Sequence, residues 1–184
     1  MQNLAFNILA GLFAFIPALV ANPGAVITGG KGRMDFGKNF IDGRRILGDG
    51  KSISGYFGGI LIGFISGIIV LPAISLLGLF QFTVSFATIL IVSFALAWGS
   101  LTGDLVGSFI KRRRNIKSGE KGDLLDMWPF VIFAFLFLFL ISRSFFASLY
   151  GNFIDIVIIL VITPLLHRGV NILAYKMHRK DVPW

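Results

Sequence analysis

The sequence predicts an all-α integral membrane protein, and three observations carry that prediction. Hydrophobic residues make up 55% of the 184 residues, and the mean hydropathy is +0.83. A soluble domain of this size has too little interior to bury that much apolar surface. Five apolar stretches stand apart, each near the length a helix needs to cross about 30 Å of hydrocarbon. If those stretches alternate in direction, 16 of the 17 Lys and Arg residues fall on one side and only Arg143 on the other. Cytoplasmic loops carry that bias, so the N-terminus is expected outside and the C-terminus inside.

The first stretch covers residues 4–21. Met1–Val20 has no basic residue ahead of its apolar run, so it reads as a retained span rather than a secretory signal. Asn22-Pro23 is expected to close it, with Asn22 either capping the helix or bonding a ligand. A basic loop over 22–55 follows. The second stretch is 56–71, ending at Pro72, and the third is 82–98, with the turn between them near Gly78 and Gln81. A second basic loop covers 111–126. The fourth stretch, 127–141, has Pro129 where a first helical turn accepts it. The fifth is 153–166, with Asp155 near its outer end. The whole chain, 1–184, reads as a single transmembrane catalytic domain. Gly55, Gly59, Gly63 and Gly67 recur every four residues on the second stretch, and Gly99, Gly103 and Gly107 do so at the end of the third. Such stripes let helix backbones approach closely.

Charge and cysteine content narrow the chemistry. The formal net charge is +8, and there is no cysteine. Disulfides and thiolate metal sites are therefore excluded. The cations lie between apolar stretches, so their partners are anionic headgroups or phosphates rather than nucleic acid.

Two segments concentrate that chemistry. In Trp98–Arg114, Ser100, Asp104, Ser108 and Lys111 follow at spacings of four, four and three. If the third helix continues through them, they share one face beside the second glycine stripe. Carboxylate and hydroxyl oxygens suit Mg²⁺, and Lys111 and Arg112 suit phosphate. Asp104 lies a turn or two inside the charged helix end, where an ionised group is costly and functional. Asp126, just before the fourth stretch, fits either a helix cap or a metal ligand. The loop Gly29–Ser52 mixes glycine, cations and three aspartates. Its fragment Gly48–Ser52, GDGKS, resembles the end of a phosphate-binding loop. Arg45 stands where the full pattern requires glycine, and no strand precedes it, which excludes a P-loop NTPase. Glycines with Arg44, Arg45, Asp49 and Lys51 remain suited to wrapping phosphates.

The segments ALVANPGAVITGG, DFGKNFIDGRRILGDGKSISGYFGG and WGSLTGDLVGSFIKRRRNIKSGEKGDLLD resemble the archaeal CDP-archaeol synthase family, CTP:2,3-bis-O-geranylgeranyl-sn-glycerol-1-phosphate cytidylyltransferases. The resemblance runs from Pro17 to the fifth stretch. The pattern Gly103-Asp104, Ser108, Lys111-Arg112 and Asp126 is also similar to bacterial and eukaryotic CDP-diacylglycerol synthases. The resemblance implies a Mg²⁺-dependent reaction of CTP with an unsaturated archaeal ether-lipid phosphate at the cytoplasmic face of the cell membrane. It implies Asp104 and Asp126 as metal ligands, and Lys111, Arg112 and Lys117 near the triphosphate. Asp104, Asp126 and Lys111 are thus the candidate catalytic residues. Asn22, Arg44, Arg45, Asp49, Lys51, Ser100, Ser108, Arg112 and Lys117 are the candidate nucleotide- or phosphate-binding ones. Relatives often read LLDQLDF, whereas this chain has Met127, Trp128 and Pro129, so a second aspartate is missing and two-metal binding is not expected. The oligomeric state is left open.

Other classes fit less well. A transporter of an anionic solute is the alternative, but five stretches do not divide into two equal repeats, and the charges cluster at one surface. The signature of a CDP-alcohol phosphotransferase is absent, and a polyprenyltransferase requires two aspartate-rich motifs. A purely structural subunit leaves the density of Asp and Gly in the first loop unexplained.

Overall fold

Backbone amides find no water in hydrocarbon, so an apolar chain must satisfy them within helices or closed barrels. A computed structural model, describing residues 4–80 and 82–178, takes the helical solution. The elements are α1 (Leu4–Ala14), α2 (Ile16–Thr28), α3 (Ile53–Leu76), α4 (Phe86–Arg113), a 3-10 turn (Asp123–Asp126), α5 (Trp128–Ile141), α6 (Arg143–Tyr150) and α7 (Phe153–Lys176). Among the described residues, extended pairing is limited to two isolated bridges, Arg33 with Ser52 and Asn39 with Arg45. Side-chain oxygens start three helices: Ser52 accepts from the Gly55 N–H, Ser85 from Thr88 and Asn152 from Ile154. Each satisfies an amide that the first turn leaves free.

The helix limits differ from the sequence reading in an instructive way. Asn22-Pro23 does not close the first span: α2 continues to Thr28 with Pro23 inside it. Asn22 therefore caps nothing. Pro72 is likewise inside α3, which continues to Leu76. The loop between α2 and α3 is Gly29–Ser52, shorter at both ends than expected. The actual interruption of the first span is at Phe15, ahead of Pro17, which brings no N–H to the first turn of α2. Past α3, Gly78 turns the chain at φ +67, while Gln81 lies outside the described residues. The third span starts later than expected, at Phe86, and continues through the charged segment to Arg113. The helix α7 continues well beyond residue 166, and α6 was not expected.

Three helical stretches, Phe6–Thr28, Ile53–Leu76 and Phe86–Arg113, are long and apolar enough to cross a membrane. The pair α6 and α7, bent by 84°, makes a fourth if it is one span, and α5 is shorter.

Both glycine stripes are packing surfaces. A Cβ on Gly59 would lie 2.6 Å from the Ala21 carbonyl oxygen, and one on Gly63 would lie 2.7 Å from that of Pro17, so α3 rests on the backbone of α2. On α4, a Cβ on Gly99 would lie 2.5 Å from the Phe133 oxygen, and one on Gly107 would lie 2.7 Å from that of Leu125. The backbone of α5 and the 3-10 turn thus sits directly on α4. Away from the basic loops, Phe15, Leu71, Val92, Leu96, Val131, Leu138, Leu149 and Tyr150 form the main core. There the Tyr150 hydroxyl donates to the Gly11 carbonyl at 2.8 Å. A smaller cluster, Ala21, Ile60, Ala97 and Leu101, lies nearer the charged end.

Gly103→Ala is expected to lower detergent stability by about 1–3 kcal/mol, because the added methyl meets Pro129 backbone with no room to move. Gly169→Ala, with nothing near its Cβ, is expected to be neutral or stabilising. Thermal unfolding of the two variants in the same detergent makes the comparison.

Candidate active site

The loop Gly29–Ser52 closes as a zipped arch. The Met34 N–H donates to the Lys51 carbonyl at 2.8 Å, and Ile53 N–H to Gly32 at 2.7 Å. Ser52 Oγ also accepts from the Gly30 N–H at 3.1 Å. The GDGKS fragment therefore ends in a helix cap, and Lys51 is held at the root of α3. At the centre of the loop is Asp35, whose side chain is fully buried. Arg45 Nη2 donates to both its oxygens, at 2.9 and 3.1 Å. The N–H groups of Gly37, Leu47 and Gly48 donate as well, at 3.0, 3.1 and 3.2 Å. Burial alone would push the Asp35 carboxyl up, but the Arg45 guanidinium and the three amides outweigh it and hold it well below the usual carboxylate range. Asp35, and then Asp49 at 2.9 Å, raise the pKa of Arg45 in turn.

The helix α4 carries the row expected of it. Asp104 and Lys111 fall within about 20° of each other at about 100° per residue. Asp104 Oδ2 accepts from Lys51 Nζ at 2.5 Å, and Lys111 Nζ donates to Asp126 Oδ1 at 2.5 Å. Asp126 Oδ2 accepts from the Gly122 N–H at 2.7 Å. Asp126 is thus not the cap of α5, whose first turn follows Met127 with no side-chain cap. Ser100 and Ser108 are buried; Ser100 donates to the Ala18 carbonyl at 2.7 Å and accepts from Asn22 Nδ2 at 3.2 Å.

Two clefts lie at this end of the molecule, and of the row only Asp104 lines either. The larger, about 840 Å³, is mostly apolar; Asn22, Lys51 and Asp104 line it together with Tyr56, Phe130 and Leu173. The smaller, about 240 Å³, is lined by Arg44, Arg45, Gly48, Asp49, Arg112 and Lys117, with others of the second basic loop. Asp49 and Gly50, consecutive in the chain, line one cleft each. The structure therefore brings five of the expected phosphate-binding residues to the basic cleft and three of the expected residues to the apolar one. Ser100 and Ser108 lie behind them in the packing.

Sequence reasoning missed Asp35, Asp42, Arg113, Phe40 and Phe109, which shape the arch rather than line it. The signal for Asp35 and Asp42 was that the loop holds three aspartates among glycines, and that for Arg113 was the basic run ending the third stretch. Partner choice between Asp35, Asp42 and Asp49 required coordinates.

A profile of the CarS-like, CDP-archaeol synthase family matches residues 3–184. The chain belongs to the CDP-archaeol synthase family. Among CDP-archaeol synthases, that of Picrophilus torridus is 58% identical over 179 residues, covering 96% of this chain and 97% of that one. That of Pyrococcus horikoshii is 41% identical over 181 residues, covering 97% and 98%. A solved structure described as "Structural insight into an intramembrane enzyme for archaeal membrane lipids biosynthesis" superposes with a TM-score of 0.71 at 32% identity, covering 90% of this chain and 94% of that one. The expected family and the all-helical membrane fold are both borne out. Nothing found supports the transporter alternative.

A divalent metal is typical of nucleotidyltransferases, and the donor set of this CDP-archaeol synthase family member bears on how one would be held. Among the described residues, no three His, Cys, Asp or Glu side chains converge. Magnesium commonly takes one or two carboxylates and completes its shell with substrate phosphates and water. Asp104 and Asp126 each offer one carboxylate beside a lysine at the charged end of α4, which meets that minimum singly; Asp104 lines the apolar cleft, whereas Asp126 and Lys111 line neither cleft.

Asp35→Asn should strip the arch of its central anion and speed hydrogen exchange at the Leu47 and Gly48 amides at neutral pH. A depressed folded-state pKa contributes stability that is complete above the ordinary value of 3.8 and lost as pH falls below it. Wild-type protection at those two amides, corrected for intrinsic exchange, is therefore expected to hold at pH 5 and to fall progressively below the ordinary carboxylate pKa.

Proposed function

We propose that this chain is a membrane cytidylyltransferase that transfers CMP from CTP to an archaeal ether-lipid phosphate, giving CDP-archaeol and pyrophosphate. The observation that carries the reading is the junction of an apolar cleft with a basic one at Asp49 and Gly50. A lipid phosphate and a nucleotide triphosphate need those two environments side by side. Family membership supports the same reaction.

The residues then take distinct roles. Arg44, Arg45, Arg112 and Lys117 neutralise the triphosphate and orient it, as cations and guanidinium forks do for phosphate oxygens. Lys51, at the polar end of the apolar cleft, receives the acceptor phosphate, whose chains run along Leu19, Val26 and Leu173. Asn22 donates from the wall of the same cleft. The acceptor oxygen attacks the α-phosphorus, the α–β bond breaks, and pyrophosphate leaves. A phosphate nucleophile is already ionised at neutral pH, so no general base is required. Catalysis is positioning and charge neutralisation. Asp104 and Asp126 would hold Mg²⁺, which supplies charge to the phosphate oxygens when bound. Lys51 and Lys111, now paired with those aspartates, exchange carboxylate for phosphate when the substrates arrive.

The chain crosses the cell membrane five times as a single catalytic domain, with α5 as a short fourth crossing. The N-terminus lies outside, and the basic loops and the site face the cytoplasm. That orientation is supported by the position of the three basic segments at one end: Arg44 of the first loop and Lys117 of the second line one cleft, and Lys51 of the first loop lines the other with Leu173 and Met177 of the last segment. The preferred acceptor is unsaturated.

The test is transfer of label from CTP to a chloroform-soluble product with unsaturated ether-lipid phosphate as acceptor. Incorporation is expected to require the lipid and Mg²⁺. Asp104→Asn should lower it by more than about 100-fold while circular dichroism and elution volume are retained. Full activity in that variant would remove Asp104 from the site, and absence of any labelled lipid product from the wild type would overturn the reaction.

A further inference from the structure

Arg113 ends α4, one of three consecutive arginines, and it lines neither cleft. Its contacts nevertheless reach across to the first loop. The guanidinium carbon is 4.9 Å from the ring centroids of both Phe40 and Phe109. Those rings meet edge to face at 5.2 Å. Nη1 pairs with Asp42 Oδ1 at 2.7 Å. Nη2 donates to the carbonyls of Arg45 at 2.5 Å and Arg44 at 3.3 Å. Arg44 Nη1 in turn donates to the Arg113 carbonyl. Asp42 Oδ1 also accepts from the Arg44 N–H at 3.1 Å. A planar cation thus rests against a pair of aromatic rings that meet edge to face, with its edge bonded to the backbone that carries two cleft arginines.

We infer that Arg113 is a positioning residue for the nucleotide, fixing the backbone of Arg44 and Arg45 against the end of α4 so that their side chains converge with Arg112 on one cleft. The need for such a device follows from charge. Arg44, Arg45, Arg112 and Lys117 line a small volume, and without polyanion their repulsion favours a splayed loop. The Asp35 and Asp49 pairs hold the side chain of Arg45. The tie from Arg113 holds the backbone of both arginines, and across the helix–loop boundary. Contact with Phe40 and Phe109 confines the guanidinium, and the bonds to Asp42 and to the Arg44 and Arg45 carbonyls set the direction of its N–H groups. Lysine offers one point charge without a fork or a flat face, and does not replace it.

The inference rests on the reading of the basic cleft as the triphosphate site, and the experiment separates the two. The full chain in detergent or nanodiscs is assayed for KM and kcat with CTP and with the lipid phosphate, and Mg²⁺·CTP binding is measured directly by calorimetry. Arg113→Ala and Arg113→Lys are each expected to raise the CTP KM and Kd by about tenfold, the combined scale of a stacked cation and its hydrogen bonds. The loss should fall on KM more than on kcat and leave the KM for lipid phosphate in place. Phe40→Leu, which keeps bulk and removes the π face, is expected to give a smaller rise of about threefold. Its effect should largely vanish in the Arg113→Ala background. Arg112→Ala tests the cleft itself. If Arg112→Ala leaves CTP affinity unchanged, the cleft is not the triphosphate site and both readings fall. If it weakens CTP while Arg113→Lys binds CTP as the wild type does, only the positioning role is overturned. That role is equally overturned if Arg113→Ala lowers kcat and both affinities together. Should Arg113→Ala fail to fold, Arg113→Lys and Phe40→Leu decide the matter.

Discussion

The backbone of α5 lies directly on Gly99, Gly103 and Gly107 of α4, and that close approach organises the charged end of the molecule. A side chain at any of the three would push α5 away and carry the 3-10 turn with it. Because the turn sits against Gly107, Asp126 comes within reach of Lys111. The stripe and the row bearing Asp104 and Lys111 lie on adjoining faces of one helix, offset by about 100° from Gly103 to Asp104. One face of α4 thus sets the distance to its neighbour, and the next carries Asp104 and Lys111.

Cations near a membrane boundary need partners, and the molecule supplies them in a graded way. Asp35 is buried and neutralises Arg45 inside the arch. Asp104 and Asp126 are part-exposed and pair with Lys51 and Lys111. Arg112, whose Nε has no hydrogen-bond partner, opens onto the basic cleft. The buried pair shapes the loop, and the part-exposed ones lie at the charged end of α4. A polyanion entering this region replaces repulsion between cations with attraction, so binding and ordering of the loop reinforce each other.

The class of fold was legible because hydropathy is a property of runs, and long apolar runs in a bilayer have one helical solution. The row Asp104–Lys111 was legible because helical spacing maps sequence onto a face. Helix ends were misread at Asn22-Pro23 and Pro72 for a physical reason. Proline costs a helix one hydrogen bond, and inside a packed membrane helix neighbours tolerate that cost, so it is a weaker stop than in water. Asp126 was ambiguous between cap and ligand, since both place a carboxylate ahead of a helix. The arch of Gly29–Ser52 was legible only in composition. Which aspartate is buried with which arginine depends on turns at Gly37, Gly43 and Gly48, all at positive φ.

The sequence by itself determined that this protein lives in a membrane, that its cations gather at one end, and that a carboxylate and a lysine share a helix face there. These follow from local rules of period and polarity. Only the tertiary structure decided that the apolar and basic clefts adjoin at Asp49 and Gly50, that Lys51 meets Asp104 from another segment, and that Arg113 ties the loop to α4. Such pairings join residues far apart in the chain. They are selected by how backbones pack, and no periodicity in the sequence encodes them.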